Sequence, residues 1–138
     1  MAKFVNLVLL LMLAGCASVQ APGYISRIDH PYERKYDADV EKVTSAVTYV
    51  LKKQGWVINS EADPAIYERD DRYDNNGYQN LLIITESKKK LLSLKSVHLN
   101  VFIHSIENTS DVEIRLSSGR NDQMVQGIFD AVDQVIHG

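Results

Sequence analysis

The sequence predicts an α+β domain in which an antiparallel sheet of three to five strands carries two helices on one face. Three observations lead to this fold class: an apolar stripe with helical spacing after residue 37, several segments with alternating apolar side chains between residues 56 and 117, and a second helical stripe near the end. The order helix, antiparallel strands, helix places both helices on the same side of the sheet. We therefore expect one sheet face that no helix covers.

The first helix is predicted over residues 37–53, with Asp37 as its N-cap. Its apolar residues recur at spacings of three and four, at Val40, Val43, Val47, Val50 and Leu51. Lysines in the last turn suit the helix dipole, and Gly55 supplies the stop. A short edge strand is expected before this helix, over Tyr32–Tyr36.

After Gly55 the apolar period changes to two, which is typical of strands. Residues 56–58 begin a strand, Asp63 and Pro64 make a turn, and residues 65–69 are expected to pair back. Residues 70–77 read as a loop by composition. Residues 79–86 predict a buried strand, and residues 97–106 and 112–117 predict a hairpin joined by residues 107–111.

The second helix is predicted over residues 122–137. Its apolar stripe consists of Val125, Ile128, Phe129, Val132, Val135 and Ile136. Gly127 inside this helix costs about 1 kcal/mol relative to alanine. We expect close packing of Gly127 against a strand to offset that cost.

The sheet face without helices is the candidate interaction surface. Alternation along the hairpin puts five side chains on it: His98, Phe102, His104, Glu113 and Arg115. The expected register pairs His104 with Glu113 and Phe102 with Arg115. An aromatic centre in a polar rim is the composition of a modest protein interface. The alternative is a solvated face with one half-buried phenylalanine.

Residues 1–15 have the pattern of a cleaved leader. Lys3 is followed by an apolar stretch in which Asn6 is the one polar residue. The stretch is shorter than the ~20 residues that a membrane-spanning helix needs. It ends in Leu13-Ala14-Gly15-Cys16, and Cys16 is the single cysteine of the chain.

These four residues resemble the lipobox of bacterial lipoproteins. The resemblance implies that the leader is cut before Cys16, that its thiol carries diacylglycerol, and that the new amine is acylated, commonly with palmitate. Two or three acyl chains give a stable membrane anchor. An ordinary secretory signal without lipidation is the alternative.

Residues 16–31 are expected to be the lipidated cysteine and a flexible tether, followed by a single periplasmic domain over residues 32–138. In lipoproteins an aspartate after the cysteine often retains the protein in the inner membrane, and here that position is Ala17. The resemblance therefore implies the inner leaflet of the outer membrane, facing the periplasm.

Composition and motifs exclude several classes of function. The chain has 15 basic and 18 acidic side chains, a formal charge of −3, and loss of Lys3 makes it more negative. An acidic domain repels phosphate, so we expect no nucleic-acid partner. The spacing of the four histidines, His30, His98, His104 and His137, predicts no metal site. The sequence also contains no recognisable cofactor or catalytic motif.

Two polar segments are candidates for further sites. The loop at residues 70–77 fails as a calcium loop, because Arg72 and Ile83 fall at ligand positions. The run Lys88-Lys89-Lys90, with Lys95, has the charge to meet anionic lipid headgroups, but a solvated turn also accounts for it.

The segment from Tyr36 to Leu51, followed by Gly55-Trp56-Val57-Ile58, is similar to the opening of small periplasmic lipoproteins, both uncharacterised and of the outer-membrane-assembly type. This resemblance implies a non-enzymatic accessory or scaffolding role with envelope protein partners. One alternative is a small-ligand or cell-wall-binding module, which requires a pocket between sheet and helices. A second is an enzyme, which requires convergent polar side chains with shifted pKa values.

Overall fold

The computed structural model describes residues 23–87 and 97–138. Its elements are β1 (Tyr32–Tyr36), α1 (Val40–Lys53), β2 (Trp56–Ala62), a 3-10 helix (Pro64–Ile66), β3 (Tyr78–Ser87), β4 (His98–Ile106), β5 (Thr109–Leu116) and α2 (Asp122–His137). The strands form one antiparallel sheet in the order β1-β5-β4-β3-β2. The predicted fold class is confirmed. The leader, Cys16, Lys88-Lys89-Lys90 and Lys95 lie outside the described residues.

Helix α1 begins two residues later than the sequence predicts. Asp39, not Asp37, is the N-cap, and its side chain accepts a hydrogen bond of 2.9 Å from the Lys42 amide. The helix ends where it was expected to end, because Gly55 adopts a φ of 91°, which an L side chain rarely tolerates.

Both helices pack on the same face of the sheet and bury one large apolar core. Residues of α1 and α2 join inward-facing residues of the strands in a single cluster, including Val43, Val47, Leu51, Leu99, Val101, Ile114, Val125, Phe129 and Val132. The Tyr36 hydroxyl donates to the Phe129 carbonyl across this layer at 3.1 Å. The expectation for Gly127 is wrong, because a Cβ there would meet open space rather than a strand.

The segment after β2 does not pair back as a strand. Asp63 accepts a hydrogen bond from the Ala65 amide and starts the 3-10 helix, so residues 65–69 leave the sheet. The chain then runs through residues 67–77, here called the connecting loop, before it enters β3. Strand β3 therefore takes the place beside β2, with an irregularity in the ladder between Ile58 and Ser60.

The β4–β5 hairpin is tighter than the sequence predicts. Ile106 pairs with Thr109, which leaves two residues in the turn, and Glu107 there has a φ of 53°. The shorter turn moves the register by two positions, so Phe102 lies opposite Glu113 and Asn100 lies opposite Arg115. A shift of two residues keeps every side chain on its predicted face, whereas a shift of one would have exchanged the faces.

Candidate functional site

The sheet face without helices is covered, contrary to expectation. Phe102 is 0 % exposed, Arg115 1 %, His104 3 % and Glu113 8 %, and His98 alone of the five predicted residues is partly exposed. The structure brings these side chains to one face, as predicted, but two non-helical segments lie over most of it. The expectation of an uncovered face is therefore wrong, while an interaction role for these residues stays a prediction.

The first covering segment is residues 23–28, here called the N-terminal segment. The Asn100 side chain holds it on two sides, accepting from the Ile25 amide at 2.7 Å and donating to the Gly23 carbonyl at 2.9 Å. Tyr24 stacks on Tyr67 of the connecting loop with ring centroids 4.8 Å apart. The predicted tether is thus irregular in backbone but bound to the sheet from residue 23 onward.

Arg115 lies at the centre of the covered face. Each of its five N–H groups donates a hydrogen bond. Nε donates to Glu113, and Nη2 donates to both Glu113 and Glu68. Nη1 donates to Glu68 and to the Ile25 carbonyl. Its guanidinium also lies 3.9 Å from the centre of the Phe102 ring. Arg115 therefore joins the N-terminal segment, the connecting loop and β5 in one network.

The two carboxylates that bind Arg115 have opposite pKa shifts. Burial alone would raise the pKa of Glu68, but hydrogen bonds from Arg115, Tyr24 and Tyr73 lower it to about 2. Burial raises the pKa of Glu113, and the attraction of Arg115 offsets this only in part. Glu68 is thus the ionised partner, and Glu113 is the carboxyl that takes a proton more readily.

His104 is neutral at physiological pH. Burial, and then the nearby charge of Arg72, lower its pKa to about 4. Asn80 fixes the tautomer: its amide donates to the Arg72 carbonyl at 3.1 Å, so its oxygen faces His104 Nδ1 at 2.7 Å. Nδ1 therefore carries the proton, and Nε2 is left as a hydrogen-bond acceptor.

Asp70 anchors the connecting loop beside this histidine. Two hydrogen bonds from the Arg72 side chain, and one from its amide, lower the pKa of Asp70 well below its usual range. Arg27 reaches the same carboxylate from the N-terminal segment at 3.3 Å. The first aspartate of this loop, which does not match the calcium-binding pattern, is therefore bound to arginine.

A cavity of about 180 Å³ opens between these groups. It is lined by Arg27, Ile28, Pro31, Glu33, Glu68, Asp70, Arg72, His104, Glu113 and Arg115. The lining is polar, and the cavity lies on the face opposite the helices rather than between sheet and helices. It can hold a small polar molecule, and Glu113 and His104 give it a proton-accepting side.

Sequence reasoning missed the partners that come from outside the hairpin, chiefly Glu68 and Asn80, and gave no role to Asn100 inside it. Asn80 and Asn100 carried a signal, since both interrupt strands at positions that share a face with His104 and Arg115. An arginine in the middle of a central strand also demands carboxylate partners. Nothing local in the connecting loop identifies Glu68 as that partner.

Within residues 23–87 and 97–138, no three His, Cys, Asp or Glu side chains are arranged to hold a metal ion. In the same part of the chain, neither helix has the length and apolar character to cross a bilayer.

No family model matches the chain, and no curated protein matches it. Among solved structures, it is similar to an uncharacterised conserved protein, DUF302, from Bacillus stearothermophilus, with 10 % identity and a TM-score of 0.41 over 80 % of this chain and 89 % of that one.

Proposed function

We propose that the chain is a lipid-anchored, non-enzymatic binding or scaffolding module of the bacterial cell envelope. The observation that carries this proposal is the run Leu13-Ala14-Gly15-Cys16 at the end of a short apolar leader. Lipidation gives the single cysteine a role, and Ala17 favours the outer membrane over the inner one. The protein then faces the periplasm and acts there through protein partners.

In the proposed anchored protein, the bound N-terminal segment limits how far the domain can stand from the membrane. Six residues, 17–22, lie between Cys16 and Gly23, so the chain from Cys16 to Gly23 spans at most about 25 Å. A tether reaching residue 31 would allow about twice that distance. The proposed role is therefore at the membrane surface rather than deep in the periplasm.

Metabolic labelling with palmitate tests the anchor. The parent chain should incorporate label and sediment with membranes, and Cys16→Ser should do neither. Ala17→Ser, which changes the next residue, is the matched control and should behave as the parent. Label in Cys16→Ser at the parent level would overturn the anchor.

Density separation of the two membranes tests the location. Ala17→Asp should move the labelled protein from the outer to the inner membrane fraction. A parent chain found in the inner membrane fraction would contradict the outer-membrane proposal.

A second candidate function is binding of a small polar ligand, and the 180 Å³ cavity is the observation that favours it. Buried ionisable side chains with shifted pKa values converge there, a feature more frequent at functional sites than elsewhere. Ligand binding is compatible with the anchored module. A titration with small charged probes, described below, tests it.

A further inference from the structure

The charges that line the cavity do not balance. Four carboxylates meet three guanidinium groups there: Glu33, Glu68, Asp70 and Glu113 against Arg27, Arg72 and Arg115. Asp70 and Glu68 are saturated, because each of their oxygens already accepts hydrogen bonds from arginine or tyrosine. The excess negative charge therefore belongs to Glu33 and Glu113.

Two acceptor atoms at this cavity have no partner among the described residues. Arg115 binds Glu113 through Oε2 alone, and no hydrogen bond reaches Oε1. His104, 3 % exposed, uses Nδ1 for Asn80 and leaves Nε2 without a donor. Neither atom is fully enclosed by protein, so both can be reached from the cavity by a molecule that brings hydrogen-bond donors.

Glu33 adds a third acceptor at the exposed rim. Glu33 of β1 lies directly opposite Glu113 of β5, a like-charge pair on one face of an antiparallel ladder. Such pairs are destabilising when nothing lies between them. A cation between the two carboxylates removes that repulsion.

We propose that this cavity binds a small organic cation through a primary ammonium group. An ammonium has three donors and no acceptor, which matches the unpartnered oxygen of Glu113, Nε2 of His104 and the carboxylate of Glu33. Arg115 offers no free N–H group to an anion, because all five are engaged. This inference rests on the small-ligand candidate and names the chemistry of its ligand.

The size of the cavity limits the cation. A water molecule occupies about 30 Å³ of liquid, so 180 Å³ corresponds to about six waters. An alkylammonium with two to four carbons fits this volume. The hydrocarbon part would lie along Ile28 and Pro31, the apolar members of the lining.

The test is an NMR titration of the full chain in detergent micelles, at constant ionic strength, with ethylammonium, acetate and inorganic phosphate as separate probes. Ethylammonium should shift the His104 ring and Glu113 carboxyl signals along a saturable curve. Acetate and phosphate should leave them unchanged.

Two variants connect binding to the acceptors. Glu113→Gln, which keeps an oxygen for Arg115, should weaken ethylammonium binding on the order of 10-fold or more, since a hydrogen bond to a charged group is lost. Glu33→Gln should weaken it on the order of 3-fold. Glu33 is exposed, so its variant remains informative if Glu113→Gln does not fold. Glu61→Gln, an equally exposed change on edge strand β2, should have no effect.

The outcomes separate the ligand class from the function. Saturable binding of acetate or phosphate without ethylammonium would overturn the ammonium ligand while leaving a ligand-binding function in place. No response of the lining residues to any probe would overturn both. Ethylammonium binding that is unaffected by Glu33→Gln and Glu113→Gln would also overturn the proposed site.

Discussion

Arg115 is the residue on which the covered sheet face depends most. Its guanidinium is buried between an aromatic ring and two carboxylates, and it also holds the backbone of the N-terminal segment. A buried ion network of this kind contributes little net stability compared with apolar packing. Loss of one member, however, leaves the others buried without a partner.

We expect Arg115→Met to destabilise the fold by about 3–5 kcal/mol, because Glu68 and Glu113 then lack their cation. Urea unfolding measures the change. Lys35→Met is the control: Lys35 reaches Asp111 at 4.0 Å from an exposed position, and its loss should be at most about 1 kcal/mol. Equal losses in the two variants would show that Arg115 is not the centre of a buried network.

His104 should make stability depend on pH. The unfolded imidazole titrates near 6.5 and the folded one near 4, so the unfolded chain binds more protons between these values. Stability therefore falls as pH is lowered through this window, by on the order of 3 kcal/mol from this residue. Glu113 acts in the opposite direction, since burial raises its pKa.

His104→Gln should flatten the dependence of the unfolding free energy on pH between about 4 and 6.5. Urea unfolding at four pH values measures it. The exposed His137→Gln is the control and should keep the parent slope. An unchanged slope in His104→Gln would mean that the buried imidazole does not resist protonation.

At the scale of elements, the N-terminal segment has no regular secondary structure, yet it covers part of the sheet face that carries no helix. Its Tyr24 packs on Phe102, Leu82 and Ile84. Its backbone is hydrogen-bonded to the side chains of Asn100 and Arg115 rather than to the backbone of a strand. Side-chain anchors of this kind hold a segment locally, so it can open without global unfolding.

We expect Asn100→Ala to raise hydrogen exchange at the Ile25 amide, because the acceptor of that amide is lost. The opening free energy of the segment should fall by about 1–3 kcal/mol. Peptide-level exchange over residues 23–28 measures it, with Asn76→Ala, an exposed change in the connecting loop, as control. Equal exchange in Asn100→Ala and the parent would show that Asn100 does not anchor the segment.

Helix α2 carries a glycine that the fold does not need. Gly127→Ala should stabilise the protein by about 0.5–1 kcal/mol, because the added methyl meets open space and alanine favours the helix. Gly55→Ala also adds its methyl to open space, but at a φ of 91°, so it should destabilise. Thermal unfolding compares the two; a lower midpoint for Gly127→Ala would contradict this account.

The sequence predicts elements and faces better than it predicts what covers them. The bounds of α2, and the sheet face on which Phe102 lies, follow from the periodicity of apolar residues within a single segment. The register of β4 and β5 depended on a turn length that composition overestimated. The covering of Arg115 by Tyr24 and Glu68 is a contact between distant parts of the chain, and no local pattern encodes it.

At the scale of the whole molecule, we propose a domain held close to a membrane by acyl chains on Cys16 and by the six residues between Cys16 and Gly23. The helices and their core lie on one side of the sheet. The charged cavity and the N-terminal segment that leads to the anchor lie on the other side. Gly23, where the bound segment begins, then lies within about 25 Å of the anchor.

The intact mass of the protein purified from membranes tests the proposed anchor most directly. We expect one species whose polypeptide begins at Cys16 and whose additional mass equals a diacylglycerol plus one further acyl chain. A chain that begins elsewhere, or one that begins at Cys16 without lipid mass, would contradict the account.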